Sequence, residues 1–198
     1  DIHDDIRGSG GCFKKTVEAL NRLSGLKKVY PTLNFNTISI ILNENLEELL
    51  PLANFLKSLN VNSIQFQPLL ANNLIMKERP DKAKYWIPRE RFAVLDRVVE
   101  DLVDFKRQNP SLVRNSENNL CLTKKYFRGR LKDSDVKCSY GRRTMLIASN
   151  GTATTCFDCY GDAKRESLRA IYASKEADKA REKAAACKSP CLLPCFCD

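Results

Sequence analysis

Hydrophobic and polar positions run through two different periods in the first half of the chain. Phe13, Val17, Leu20 and Leu23 recur at helical spacing, which predicts an amphipathic helix over 13–24 stopped by Gly25. In TLNFNTISIIL the period shortens to two: Leu33, Phe35, Thr37, Ser39 and Ile41 alternate with Asn34, Asn36, Ile38 and Ile40. Its β-branched richness makes it a strand. A second helix follows, with Asn45 as N-cap and Leu46, Leu49, Leu50, Ala53, Leu56 and Leu59 on one stripe. VNSIQFQPLL then reads as a short strand carrying Ile64 and Phe66, with Pro68 just beyond. Helix, strand, helix, strand with short joints argues for parallel strands and crossover helices, the α/β class.

Downstream the pattern is less regular. Residues 71–87 read as a polar surface loop. Pro88 then opens a strong helix whose Phe92, Leu95, Val98, Val99, Leu102 and Phe105 share a face. A weaker helix over about 117–130 includes Cys121. Two strands with their helices cannot close a barrel, so the α/β part is incomplete. In the last sixty residues, RRTMLIASNGTATTCFDC predicts a β-hairpin turning at Asn150-Gly151, a pair that favours a type I′ turn. A helical stretch from Ser167 through Ala186, broken near Ser174, leads to the cysteine-rich tail CKSPCLLPCFCD.

Size and charge narrow the function classes. With 198 residues, 43% of them hydrophobic, the chain can bury one substantial core and a small appended module. The formal charge of +9 would suit phosphates, but Lys and Arg are spread over helix surfaces. That distribution argues for a solvated basic surface and against nucleic acid; 124–132 is the best candidate for a true patch. No stretch approaches the ~20 apolar residues of a membrane span, and the opening DIHDDIRG lacks the features of a secretory leader. The polar opening reads as a loop within a longer protein, and the expected location is the cytoplasm.

A reducing cytoplasm bears on the nine cysteines. Clustered thiols there are metal ligands or catalytic groups more often than disulfides. The predicted hairpin can bring Cys138 near Cys156, and the helix after it returns the chain to deliver Cys187, Cys191, Cys195 and Cys197 to the same place. Thiolate ligation without histidine suits structural zinc or an iron–sulfur cluster. Only Cys156–Cys159 has the CxxC form of a zinc knuckle, whereas prolines beside the tail cysteines, Pro190 and Pro194, lean toward iron–sulfur. Cys12 and Cys121 fall within helix patterns and read as core residues. His3 reads as a loop anchor.

HDDIRGSGGCFKKTVEALNRL, NFNTISIILNENLEELLPLANFLKSLNVNSIQFQPL, the Cys138-x12-Gly151-x4-Cys156 hairpin and the terminal cysteines, in that order, resemble the radical S-adenosylmethionine enzymes with a C-terminal SPASM or twitch domain. The resemblance runs over nearly the whole chain. It implies that 1–70 is the C-terminal portion of a partial (β/α)6 barrel, 71–137 a helical connecting region, and 138–198 a small hairpin-and-helix domain binding an auxiliary [4Fe–4S] cluster. Cys138 and Cys156 match the hairpin ligands, with two more from Cys187, Cys191 and Cys195, and Cys159 and Cys197 in reserve. The shortened tail implies one auxiliary cluster.

The resemblance also implies S-adenosylmethionine and a second [4Fe–4S] cluster in the full-length protein. A peptide or small-molecule substrate would be modified oxidatively by radical chemistry, with a reductant such as ferredoxin or flavodoxin. The family's CxxxCxxC is absent from this sequence, so these residues alone are expected to be inactive. Asn36, Thr37, Gln65, Gln67 and Asn43 lie on or just beyond strands whose ends approach the cofactor in this family. Of these, Asn36 and Gln67 are the expected cofactor contacts, joined by Arg7, which could reach the cofactor carboxylate or pair with Asp4 or Asp5.

Overall fold

Two strands, β1 (Asn36–Ile41) and β2 (Ser63–Pro68), pair in parallel, with Asn36 opposite Ser63 and Ile41 opposite Pro68. The computed structural model describes residues 2–70, 84–136, 139, 144–156, 158–186 and 191–192. By its contacts the chain divides into two units, Asp1–Arg130 and Leu131–Asp198.

The first unit begins with α1 (Ile2–Arg7) and α2 (Cys12–Leu26) ahead of β1. A 3₁₀ turn (Leu46–Glu48) and α3 (Leu49–Ser58) lead to β2, followed by α4 (Phe92–Gln108) and α5 (Glu117–Phe127). β2 is buried at every position except the half-buried Gln67, as expected of a parallel strand covered on both faces. The crossover helix α3 buries Leu49, Ala53 and Leu56. The next helix, α4, buries Leu95, Val98, Val99, Leu102, Val103 and Phe105 and returns the chain to the sheet. There Ile64 forms a single parallel bridge to Val113; its amide donates to the Leu112 carbonyl at 2.7 Å and its carbonyl accepts from Arg114 at 2.9 Å.

A side chain carries that ladder one step further. Asn115 accepts from the Phe66 amide through Oδ1 at 2.8 Å and donates from Nδ2 to the Phe66 carbonyl at 2.7 Å. Its Nδ2 also donates to Asn119 Oδ1 at 2.7 Å, and both asparagines are buried. The amide thus stands in for a strand residue and satisfies backbone groups that burial would otherwise leave unpaired. An aromatic knot holds the C-terminal end of β2: the Tyr126 hydroxyl donates to the Leu69 carbonyl at 2.8 Å, and Trp86 packs edge-on against Phe127 at 4.8 Å.

Several local expectations change. DIHDDIR is a short helix, α1, rather than a loop. Gly25 lies inside α2 and does not stop it; its carbonyl accepts from the Lys28 amide at 3.2 Å. Asn45 does precede a helical turn, but its side chain does not cap it. Instead Oδ1 accepts from the Leu42 amide at 2.9 Å and Nδ2 donates to the Ile40 carbonyl at 2.8 Å, clamping the end of β1. The candidate basic patch is partly neutralised: Lys124 pairs with Glu100 at 2.9 Å, and Arg128 pairs with Asp96 at 2.8 Å while lying over the Phe92 ring.

The second unit is a three-stranded antiparallel sheet, β3 (Leu146–Ile147), β4 (Thr152–Thr155) and β5 (Asp158–Asp162), with α6 (Leu168–Tyr172) and α7 (Lys175–Ala185). β5 had no signal of its own in the sequence, because DCYGD reads as turn composition. The β3–β4 turn is not type I′. Asn150 has a negative φ, Gly151 sits at φ 91° and donates to the Ala148 carbonyl at 2.8 Å, and the Ala148 amide donates to the Thr152 carbonyl at 2.9 Å. This is the three-residue loop closed by a glycine bulge. Ser167 and Ser174 cap α6 and α7, accepting from the amides of Ala170 and Ala177, so the helical stretch breaks where the sequence places its second cap.

Gly161 faces the buried Ile171, and a Cβ there would lie 2.6 Å from Ile171 Cγ2. Gly161→Ala should therefore destabilise the second unit by about 1–3 kcal/mol through overpacking. In the first unit, Asn115→Ala strips both partners from Phe66, an expected loss of about 2–6 kcal/mol at ~1–3 per buried group. Urea unfolding of each variant measures the cost.

Candidate metal centre

The sequence CFDC spans the tightest reversal of the second unit. Thr155 faces Asp158 and Thr154 faces Cys159, so the chain turns over at Cys156. Cys156 has φ 56°, a left-handed conformation that costs a non-glycine residue about 1 kcal/mol or more. Both Cys156 and Cys159 are exposed. Free cysteine behaves as a small buried hydrophobe, so two solvent-facing thiols on one strained turn call for another explanation. Thiolate donors presented this way suit a soft-metal centre. Beneath them Thr155 is 1% exposed and its hydroxyl shares a 2.8 Å hydrogen bond with the Tyr160 hydroxyl, bracing the two arms of the turn.

α7 reaches the same turn. Lys183 Nζ donates to Asp158 Oδ1 at 2.7 Å, and Asp158 is one of the two residues between the thiols. That hydrogen bond, then the attraction of the same carboxylate, and lastly the nearby Cys156 thiolate hold the Lys183 ammonium above its ordinary pKa. Asp158 is thus tied to a helix rather than left as a free turn residue.

The other expected ligands are divided. Cys191 is half-buried beside Leu192, which is fully buried at φ 49°. Cys138, Cys187, Cys195 and Cys197 lie outside the described residues, as does the expected meeting of the hairpin and tail thiols. Among the described residues no three or more ligating side chains assemble. The geometry does bring Cys159 onto the same turn as Cys156, a closeness that followed from β5. Neither helix cysteine is a core residue. Cys121 is exposed on α5, whose inward positions are Asn119, Leu120, Leu122, Thr123, Tyr126 and Phe127, and Cys12 is half-buried at the start of α2.

In the first unit the expected contact residues fall at different ends of the sheet. Gln67 is half-buried opposite Ile40, near the C-terminal ends of both strands, where parallel α/β folds hold ligands. Asn36 opens β1 at the other end, where Oδ1 accepts from the Ser63 hydroxyl at 2.7 Å. Arg7 is exposed at the end of α1 and pairs with neither Asp4 nor Asp5. A cavity of about 670 Å³ is lined by Ile6, Gly8, Glu44 and Tyr85, among others. Glu44 Oε2, Asn43 Oδ1 and Thr37 Oγ1 are buried without a hydrogen-bond partner among the described residues. Glu44 was missed in the sequence because NENLEE reads as a helix start; only its nearness to Asn43 could have flagged it.

Asp4 has a structural task beside that cavity. Its carboxylate accepts from the Gly11 and Phe13 amides, both at 2.7 Å, at the start of α2, while His3 packs on the Phe13 ring at 5.7 Å. The Phe13 hydrogen bond above all holds the Asp4 carboxyl below its ordinary pKa.

Residues 138–196 match the family model of SPASM, an iron–sulfur cluster-binding domain. No curated protein and no solved structure matches the chain. Domains of this family usually occur in radical S-adenosylmethionine enzymes. The donor set fits the group: exposed thiols on a strained turn are what a cluster needs and what a packed core does not. No helix among the described residues is long and apolar enough to cross a membrane.

Because the folded pKa of Asp4 lies below the unfolded one, its contribution to stability is present above the ordinary carboxylate range and is lost as pH falls through the lower, folded value. The Gly11 and Phe13 amide shifts should therefore titrate together with a midpoint below pH 3.8, and Asp4→Asn should abolish that titration. An NMR pH series reads both.

Proposed function

With residues 138–196 matching an iron–sulfur cluster-binding domain, we propose that the chain is the C-terminal portion of a radical S-adenosylmethionine enzyme, binding one auxiliary [4Fe–4S] cluster that supports radical modification of a peptide or small-molecule substrate. The observation that carries this reading is the pair of exposed thiols at the CFDC turn inside the matched segment. Cys156 and Cys159 are ligands in this reading, joined by others from Cys138, Cys187, Cys191, Cys195 and Cys197. When bound, the cluster supplies one-electron chemistry or a Lewis-acidic iron. The protein's own share is to hold the thiolates in place, through the Thr155–Tyr160 brace and the Lys183–Asp158 contact from α7.

The first unit supports the barrel part of the proposal. β1 and β2 are parallel, joined by a crossover helix, and β1 pairs with β2 alone among the described residues, leaving Ile38 62% exposed. A parallel sheet of this kind is stable when flanked by further strands and helices. The cavity beside Glu44 and the partnerless oxygens of Asn43 and Glu44 suit a polar ligand at the strand ends. No CxxxCxxC occurs in these residues, so cleavage of S-adenosylmethionine is assigned to a cluster they do not ligate. A reducing cytoplasm, with ferredoxin or flavodoxin as electron donor, keeps the thiols available for iron.

One observation favours a second reading: a single CxxC on a tight hairpin is also the form of a zinc knuckle, which would make the unit a structural module of a basic binding or scaffold protein. Anaerobic purification separates the two. The chain should be brown, absorb broadly near 400 nm and carry iron with acid-labile sulfide, and Cys156→Ser or Cys159→Ser should cut bound iron by about tenfold or more, at least the effect of losing an outer-shell partner. A colourless protein with stoichiometric zinc decides for the second reading.

A further inference from the structure

The Asp158–Lys183 pair is the one charged contact described at the thiol-bearing turn, and it joins groups with opposite consequences. Asp158 is held between the two cysteines and faces Thr155 across the turn. Lys183 comes from the last turn of α7, a helix whose Ala177 and Ala180 are buried while Lys183 itself is 73% exposed. Its stem therefore bridges a fixed helix to a strained turn, and its head rests 2.7 Å from the Asp158 carboxylate.

A thiolate-ligated cluster gains negative charge when it is reduced. A nearby cation stabilises the reduced form and a nearby anion destabilises it; both effects are Coulombic, and solvent weakens them where the charges are exposed. We propose that Asp158 and Lys183 form a potential-setting pair for the cluster at Cys156 and Cys159: the carboxylate orders the turn at a position that disfavours reduction, and the lysine cancels that charge. Both are positioning residues, acting on the centre through the turn and through space. The inference rests on the cluster reading above and deepens it.

The pair predicts opposite signs for its two members, which a purely structural role does not. Lys183→Met leaves Asp158 uncompensated and lowers the midpoint potential of the cluster. Asp158→Asn leaves the ammonium unbalanced and raises it. The double variant returns close to the parent. For exposed charges the expected change in the reduction equilibrium is about threefold each way, roughly 30 mV at 59 mV per decade for one electron. The differences should narrow as ionic strength rises from about 0.01 to 1 M, because the Debye length falls from ~30 to ~3 Å. Lys183→Arg keeps charge and reach and should hold the parent potential.

The test is an EPR-monitored redox titration of the full chain after anaerobic reconstitution, with iron and sulfide quantified for every variant. Opposite shifts, reversed in the double variant and damped by salt, support the proposal. Equal-sign shifts, or no shift, in variants that keep their cluster overturn it and leave the cluster reading standing. If Lys183→Met sheds its cluster, Asp158→Asn and Lys183→Arg carry the test: an unchanged or lowered potential in the first, or a Met-like loss in the second, overturns it. A parent chain without iron and sulfide sinks the cluster reading and this inference together.

Discussion

A core with few large side chains among its described residues limits what burial can hold together in the second unit. Among its described residues the fully buried apolar side chains are Ala153, Ile171, Ala177 and Leu192, with Ala180 and Val136 nearly so. Small residues let α6 and α7 approach the sheet closely, which is why Gly161 meets Ile171 with no room for a methyl group. They also bring little apolar area with them. Units of this size gain stability from covalent or metal staples when the core is thin. Ligation by thiolates is such a staple, and in the proposed reading it would account for the backbone strain at the exposed Cys156.

The first unit solves a different problem. A parallel strand has no polar face to give to water, so β2 must be covered on both sides and continued at its edges. α5 packs on β2 and against α4, which packs in turn on α3, and Val113 with Asn115 supplies the continuation on one edge. Side-chain amides recur wherever the ladder ends: Asn45 at the close of β1, Asn115 beside Phe66, and Asn62, whose Oδ1 accepts from the Phe35 amide at 3.0 Å. Asparagine is suited to this because its amide carries a donor and an acceptor in the spacing of a peptide group. The asparagine richness around these strands is therefore architectural, and the polar atoms left over, on Asn43 and Glu44, stand out against it.

Long periodic segments were legible in the sequence. The stripes of α3 and α4 match the buried sets closely, because a helix that packs on a sheet must repeat its apolar residues every three or four positions. Serine caps marked the break between α6 and α7. What stayed hidden was decided by tertiary partners. β5 is a strand because β4 offers it an edge and α6 covers Gly161, not because DCYGD favours extension. The type of the Asn-Gly turn depended on how far the pairing of β3 and β4 runs, and Asn45 exchanged a cap for a strand end. The cysteine signal was strong in kind and weak in place: the CxxC spacing put Cys159 close to Cys156, but not on a strand of its own, β5, which only pairing with β4 creates.

Exposure of the thiols has a further consequence for how the unit works. In the proposed reading, a centre held at these exposed thiols sees a high local dielectric, so distant charges on the chain are screened and the net +9 has little leverage on it. Only groups within a few ångströms count, and they must be held in place to count reproducibly. The CFDC turn meets that condition in two ways: the Thr155–Tyr160 bond fixes the arms of the turn, and α7, anchored by its buried alanines, fixes the cation that meets Asp158. In that reading, the bracing of the turn is what would let a few local charges, rather than the whole surface, decide how readily a cluster there accepts an electron.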